Sequence, residues 1–247
     1  MVLRLAQISD AHLLADPAGR LKSLKPLPRF EQVLAAVVER APDWLLLTGD
    51  LSDDGSRESY EMLAGRLRAA ALPSLAIAGN HDHPARLQAH LAGSPFHPDA
   101  ELDLGDWLLL ALNSAHPPRI EGWLEPEQLA WMEQRLVRDR RPTIVVLHHP
   151  PLAIGCSKLD PLGLLKGPAL QTRLAGFPQV QLCLFGHIHQ PFEQRLGSVT
   201  YLGAPSCFRQ FAPRAGEVDA AQAPPGYRWL ELHPDGTWTT QVVWLDP

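Results

Sequence analysis

Short apolar runs alternate with amphipathic stretches through the first two thirds of the chain. Val2 to Ile8, Trp44 to Leu47, Leu75 to Ala78, Trp107 to Leu112, Thr143 to Leu147 and Val180 to Phe185 are the short runs, and they predict buried strands. Between them apolar residues recur at helical spacing. Phe30, Val33, Leu34, Val37 and Val38 predict a helix that Ala41-Pro42 stops, and Arg57 to Ala71 predicts a second with Tyr60, Leu63, Leu67 and Ala70 inward. Ala85 to Leu91 reads as a short helix. Pro126, at a first helical position, opens another with Leu129, Met132, Leu136 and the further candidate Val137 inward, and Gly167 to Ala175 is the last. From Phe192 onward the pattern turns to short strands punctuated by Gly or Pro: Phe192 to Leu196, Val199 to Leu202, Tyr227 to Leu232 and Thr237 to Trp244. Leu14 to Pro28, Pro150 to Gly167 and Ala212 to Pro225 read as loops, the first crossing the mouth of the presumed site, and His83 to Glu101 is irregular apart from its short helix.

Five of the apolar runs stop abruptly at polar residues of one chemical kind. Val2 to Ile8 leads into Asp10-Ala11-His12, Trp44 to Leu47 into Gly49-Asp50, Leu75 to Ala78 into Gly79-Asn80-His81-Asp82, Thr143 to Leu147 into His148-His149-Pro150, and Val180 to Phe185 into Gly186-His187-Ile188-His189. Five strands with their polar ends at one place would make one site. Gly79 reads as the residue that lets the backbone turn sharply out of its strand.

Composition narrows the class. A chain of 247 residues with 45% hydrophobic and 20% charged residues is an ordinary globular protein. Because the candidate donors run from residue 10 to residue 189, a single domain over 1–247 is expected; cutting the chain between them would divide the site. A formal net charge of -5 without a Lys/Arg-rich run gives no footprint for nucleic acid, so an anionic substrate needs local positive charge such as bound metal. Cys156, Cys183 and Cys207 are odd in number and lack C-x-x-C spacing, which implies neither a disulfide framework nor a zinc-thiolate site and fits a reducing, cytoplasmic setting. The first strand, interrupted by Arg4 and Gln7, does not read as a signal segment, and no apolar run approaches the roughly 20 residues of a membrane helix.

Asp10 and His12 stand two residues apart, which on extended chain puts both side chains on one side, and His187 and His189 repeat the spacing. With Asp50, Asn80 and His148 they form a mixed nitrogen and oxygen donor set suited to Zn, Mn or Fe. Seven donors exceed what one ion needs. Two ions about 3.5–4 Å apart, bridged by a carboxylate, would use them all and leave positions for water and substrate. Any one pair alone is as readily a surface or core feature; the combination carries the reading. Cys183 reads as a small buried hydrophobe, and His83, His90, His97, His116 and His233 as structural or exposed.

The order Asp10-x-His12, Gly49-Asp50-x-x-Asp53, Gly79-Asn80-His81-Asp82, His148-x-Pro150 and Gly186-His187-x-His189 resembles the calcineurin-like metallophosphoesterase superfamily over most of the chain. The resemblance implies an α/β fold of two mixed β-sheets packed as a sandwich and flanked by helices. It implies Asp10, His12 and His189 on one metal, Asn80, His148 and His187 on the other, and Asp50 as the bridge, the H-x-P spacing selecting His148 over His149. Two cations facing two carboxylates leave excess positive charge, which would hold a phosphate ester and turn a bridging water toward hydroxide for in-line attack. His81 is then the proton donor to the leaving oxygen, Asp53 the carboxylate that orients it, with Asp82 a weaker candidate for that role, and Asn80, His81 and His12 face the phosphate. Asp54 stands where the phosphoprotein phosphatases of the superfamily carry Arg, which argues against a phosphoprotein substrate. Ile8 to Leu13, Gly49 to Gly55, His148 to Leu152, Gly155 to Asp160, Gly186 to Gln190, Ala204 to Phe211 and Pro225 to Arg228 are instead similar to the bacterial class III cyclic-nucleotide phosphodiesterases; Asn113-Ser114 departs from that branch, which more commonly has Asp-Ser. The expected reaction is hydrolysis of 3′,5′-cyclic AMP to 5′-AMP, with the loop after His149 and the segment Ser206 to Phe211 expected to hold base and ribose. The alternatives are a broader phosphodiesterase acting on 2′,3′-cyclic nucleotides or glycerophosphodiesters, and an inactive binding module, against which the complete donor set counts. The partner is a small cyclic nucleotide, with neither nucleic acid nor membrane, and a homodimer is open.

Overall fold

The structure, a computed structural model, describes residues 1–93, 95–97, 100–211 and 223–246, so the loop expected at 212–225 lies largely outside the described residues. One six-stranded sheet contains β1 (Leu3–Ile8), β2 (Trp44–Thr48), β3 (Ser74–Ile77), β4 (Phe96–His97), β11 (Gly226–Leu232) and β12 (Trp238–Trp244), in the order β12-β11-β1-β2-β3-β4. The other contains β5 (Glu101–Asp103), β6 (Leu108–Ala111), β7 (Thr143–Val146), β8 (Val180–Phe185), β9 (Phe192–Leu196) and β10 (Val199–Gly203), in the order β5-β6-β7-β8-β10-β9. Both are mixed. β1, β2, β3 and β4 run parallel, as do β6, β7, β8 and β10, and antiparallel strands complete the edges.

Alternation along the strands builds three cores. In β2, Leu45 and Leu47 join the core beneath α1 (Pro26–Glu39) and α2 (Arg57–Ala70), whereas Leu46 enters the core between the sheets. In β7 and β8, Ile144, Val146, Leu182 and Leu184 meet Leu46 there, while Val145, Cys183 and Phe185 face α4 (Pro126–Arg138) and α5 (Gly167–Ala175). Strands covered on both faces have no polar side to show. That is why they read as uninterrupted apolar runs. The result is two packed sheets flanked by helices, as expected.

Differences from the expectations are local. α1 starts at Pro26 and takes in Pro28, because the first turn of a helix needs no amide hydrogens and tolerates prolines that otherwise signal loop. Val38 is 40% and Val137 58% exposed: each follows the last residue of its buried stripe, Val37 and Leu136, and rotates outward. β4 falls inside the stretch read as irregular and β5 begins at its last residue, both being too short to carry an alternation. A 3₁₀ turn, Asp160–Leu162, interrupts the loop after His149. No helix among the described residues is long and apolar enough to cross a membrane.

Candidate metal centre and active site

Each polar cluster follows the C-terminal end of its strand, and in three of the five, after β1, β2 and β8, the chain turns in a conformation that side chains resist. Asp10, His12, Asp50, His187 and His189 all have positive φ, between 48° and 69°. A left-handed residue with a Cβ costs about 1–2 kcal/mol, so five together persist only because neighbours hold them. Backbone bonds lace the loops: Asp10 donates to Gly49 O at 3.0 Å, His12 to Asp50 O at 2.9 Å, and His187 to Asp10 Oδ1 at 3.1 Å. Ser206 Oγ donates to Asp10 O from the far end of the chain. Glycines supply the room. A Cβ on Gly186 would stand 2.0 Å from Ser9 Oγ, and one on Gly79 2.2 Å from Asp50 Oδ1. Gly79 is not among the described residues of positive φ, so its role is close approach to Asp50 and not the sharp turn expected.

All seven expected donors converge. His12 Nε2 and His189 Nε2 lie 3.1 Å apart, with Asp10 Oδ1 3.3 Å from His189 Nε2. Asp50 Oδ2 stands between two imidazoles, 3.8 Å from His12 Nε2 and 3.5 Å from His148 Nε2. Asn80 Oδ1 is 3.0 Å from His187 Nδ1. The outer nitrogens assign the tautomers: His12 Nδ1 donates to Asp53 at 2.9 Å, His189 Nδ1 to Arg209 O at 2.7 Å and His148 Nδ1 to Thr48 O at 2.7 Å. When neutral, each of these rings therefore presents an Nε2 lone pair to the interior. Two lone pairs 3.1 Å apart repel unless a cation or proton lies between them. His148 Nε2 and His187 Nε2 are buried without a hydrogen-bond partner, which in a dry interior is costly. A divalent cation answers both conditions, so the residues present fit metal.

Between the protein groups alone, the electrostatics point the same way. Burial would raise the Asp50 and Asp10 carboxyls, but His148 holds Asp50 well below the usual range and His189 lowers Asp10, so both stay ionised near neutrality. Burial would lower His148, but Asp50 raises it to about 9; burial and the neighbouring His148 push His187 down to about 3.

The remaining expected residues separate into roles. His81 is 40% exposed by side chain; its Nδ1 lies 3.2 Å from Asp53 O and 3.3 Å from Asp53 Oδ1, and its ring stands edge-on to His12 at 4.8 Å. Asp53 thus touches both His12 and His81, the closer contact being to His12. Asp82 makes none of its contacts to His81. Its carboxylate accepts from Leu51 N, Ser52 N, Gly79 N and Tyr60 Oη, clamping the loop after β2 to the loop after β3. Asp54 ties down the Leu14 loop through Ala15 N and also accepts from Ser56 N. His83 caps α3 (Pro84–His90), and Cys183 is fully buried.

Sequence reasoning missed the supports. Tyr60, read only as a core residue, holds Asp82 and accepts from His83 N at 2.7 Å. No guanidinium is evident beside the sequence motifs, yet Arg209 sits over Phe211 at 5.3 Å, and Phe211 stacks on His189 at 4.1 Å and 3°. Its only signal is its place in the segment Ala204 to Phe211.

Known proteins are similar to this chain in sequence and in fold. A family model described as calcineurin-like phosphoesterase matches residues 3–191. A probable cyclic nucleotide phosphodiesterase of Synechococcus sp. is 44% identical over 100% of this chain and 94% of its own length. A 3′,5′-cyclic adenosine monophosphate phosphodiesterase of Pseudomonas aeruginosa is 36% identical over 98% of this chain and 90% of its own. In fold, the chain superposes on a dimetal phosphatase from Danio rerio with a TM-score of 0.70, at 12% identity and 98% coverage of each chain. With the motifs, the two packed sheets and full-length relatives in agreement, the chain belongs to the calcineurin-like phosphoesterase family.

Proposed function

We propose that this protein is a metal-dependent phosphodiesterase that hydrolyses 3′,5′-cyclic AMP to 5′-AMP, acting as one domain in the cytoplasm. The observation that carries the chemistry is the inward ring of Nε2 lone pairs around the Asp50 carboxylate. Asp10, His12 and His189 would hold one ion, Asn80, His148 and His187 the other, and Asp50 both, with Fe, Mn or Zn suited to these donors. When bound, such ions supply the charge that holds the phosphate and activates water. The substrate class rests on the full-length likeness to the cyclic nucleotide phosphodiesterases named above.

The protein groups do the rest. Water adds to phosphorus, the bond from phosphorus to the ribose 3′ oxygen breaks, and that oxygen takes a proton. We assign its donation to His81, and three features support that role: it lies beside His12, is partly open to solvent, and directs Nδ1 at Asp53 so that Nε2 faces away from that contact. Asp53 keeps the His12 and His81 rings in register with one another, and Asn80 and His12 flank the phosphate.

Comparing kcat/KM for 3′,5′-cyclic AMP with 2′,3′-cyclic AMP, a glycerophosphodiester and a nitrophenyl phosphomonoester on metal-loaded protein tests the assignment. Preference for 3′,5′-cyclic AMP is expected. Negligible turnover of it beside efficient hydrolysis of any other substrate overturns the substrate while leaving the family intact.

A further inference from the structure

His149 is fully buried next to His148, and its ring packs 4.8 Å from both His148 and His187. By position it could be counted with them as a third nitrogen donor. Its hydrogen bonds exclude this. Ile120 O, 2.9 Å from His149 Nε2, can only accept, so Nε2 carries the proton. Nδ1, 2.8 Å from Ser114 Oγ, must then accept from the hydroxyl. Both nitrogens are committed and no lone pair is left for a cation. The same Ser114 Oγ accepts the backbone amides of His148 and His149, each at 3.2 Å, so one hydroxyl fixes the main chain at the two histidines and the ring of the second.

The pocket around this ring is closely shaped. A Cβ on Gly122 would lie 2.5 Å from His149 Cγ. Gly122 is itself pinned, donating to Gly163 O at 3.1 Å and accepting from Leu165 N at 2.8 Å. The chain from Ser114 to Gly122 therefore grips His149 through Ser114, Ile120 and Gly122, the turn near Gly163 holding Gly122 in place, and His149 in turn presents its ring to His148 and His187. The rings of Asp10's partners, His12 and His189, have no such contact with it.

We infer that His149 and Ser114 are a positioning pair for one half of the dinuclear centre, setting the orientation of His148 and His187 without touching the ion. The inference rests on the ligand assignment proposed above. It makes a prediction that a direct ligand would not: with the His149 imidazole gone the affected ion is still bound, only more weakly, because its ligands are intact, whereas loss of a ligating imidazole would remove that ion.

The test uses the full chain titrated with Mn²⁺ against a chelator, with electron paramagnetic resonance to separate coupled pairs from isolated ions. Wild type is expected to bind two ions as a coupled pair. His149→Phe, which keeps the ring and removes both bonds, should lower the affinity of one ion by about 10–100-fold and leave the other, so that isolated Mn²⁺ signals replace the coupled ones. Ser114→Ala should shift the same ion in the same direction by a smaller factor. Should His149→Phe not fold, Ser114→Ala decides alone. Wild-type affinity for both ions in these variants, tighter binding in Ser114→Ala, or equal weakening of both ions overturns the inference. A wild type that binds fewer than two ions fails the dinuclear reading itself, a distinct result.

Discussion

Replacing Gly79 by alanine separates close approach from chain flexibility. The new Cβ would lie 2.2 Å from Asp50 Oδ1, 2.4 Å from Asp50 N and 2.8 Å from Asp50 Cγ. Ordinary contact needs roughly 3.5 Å, so relief requires a shift of about 1 Å. One of the crowding atoms is backbone, so a rotamer change of Asp50 alone cannot supply it. Overpacking of this size costs about 1–3 kcal/mol, and misplacing a reacting group by about 1 Å costs on the order of 10²-fold in rate. Gly65 is the matched control: it lies inside α2 and a Cβ there meets nothing within 4 Å. Gly65→Ala should stabilise by about 0.5–1 kcal/mol through helix propensity. Identical chemistry thus has opposite signs at two positions. Urea unfolding in chelator gives the stabilities, with the slope checked for constancy; metal content and kcat/KM for 3′,5′-cyclic AMP complete the comparison. Stabilities of the two variants equal within about 0.5 kcal/mol, or Gly79→Ala with both ions and full rate, would refute the reasoning.

Asp50→Ala should lose metal at both positions and His189→Ala mainly at one; elemental analysis showing both ions retained in Asp50→Ala removes the bridging assignment. His81→Ala should keep its metal yet lose roughly 10²–10⁴ in rate on alkyl esters and much less on nitrophenyl esters; equal losses on both would count against proton donation. Metal uptake should be proton-linked, because a His148 raised to about 9 is protonated at neutral pH and must lose that proton to bind an ion. Affinity therefore rises with pH up to about 9, and calorimetry in buffers of different ionisation enthalpy should find at least about one proton released at pH 7; none released would contradict the Asp50–His148 pairing. Cys156, Cys183 and Cys207, 0–1% exposed, should all resist a thiol reagent in the native protein and react on unfolding, and fast labelling of any one of them would contradict its burial.

What the sequence reveals of the site follows from how it is built. Side chains attached directly to strand ends inherit their positions from the strands, so the candidate donors Asp10, His12, Asp50, Asn80, His148, His187 and His189 could be picked out from five short motifs. The prolines of α1 and the two- and three-residue strands β4 and β5 were opaque for a matching reason: helix starts tolerate the residues that usually mark loops, and very short strands hold no period.

The sequence alone determined the strand-and-helix alternation, the chemical kind of the site and which seven candidate donors the fold brings together, because each of these is written in contiguous residues or in spacing. Tertiary structure alone decided which group supports which. Tyr60 reaches Asp82 across 22 positions, Ser114 reaches His149 across 35 and Ser206 reaches Asp10 across 196. Gly79 needs its missing Cβ because Asp50 arrives from another strand. Such pairings depend on the register of parallel strands and on the meeting of two sheets, and no local preference of the chain encodes either.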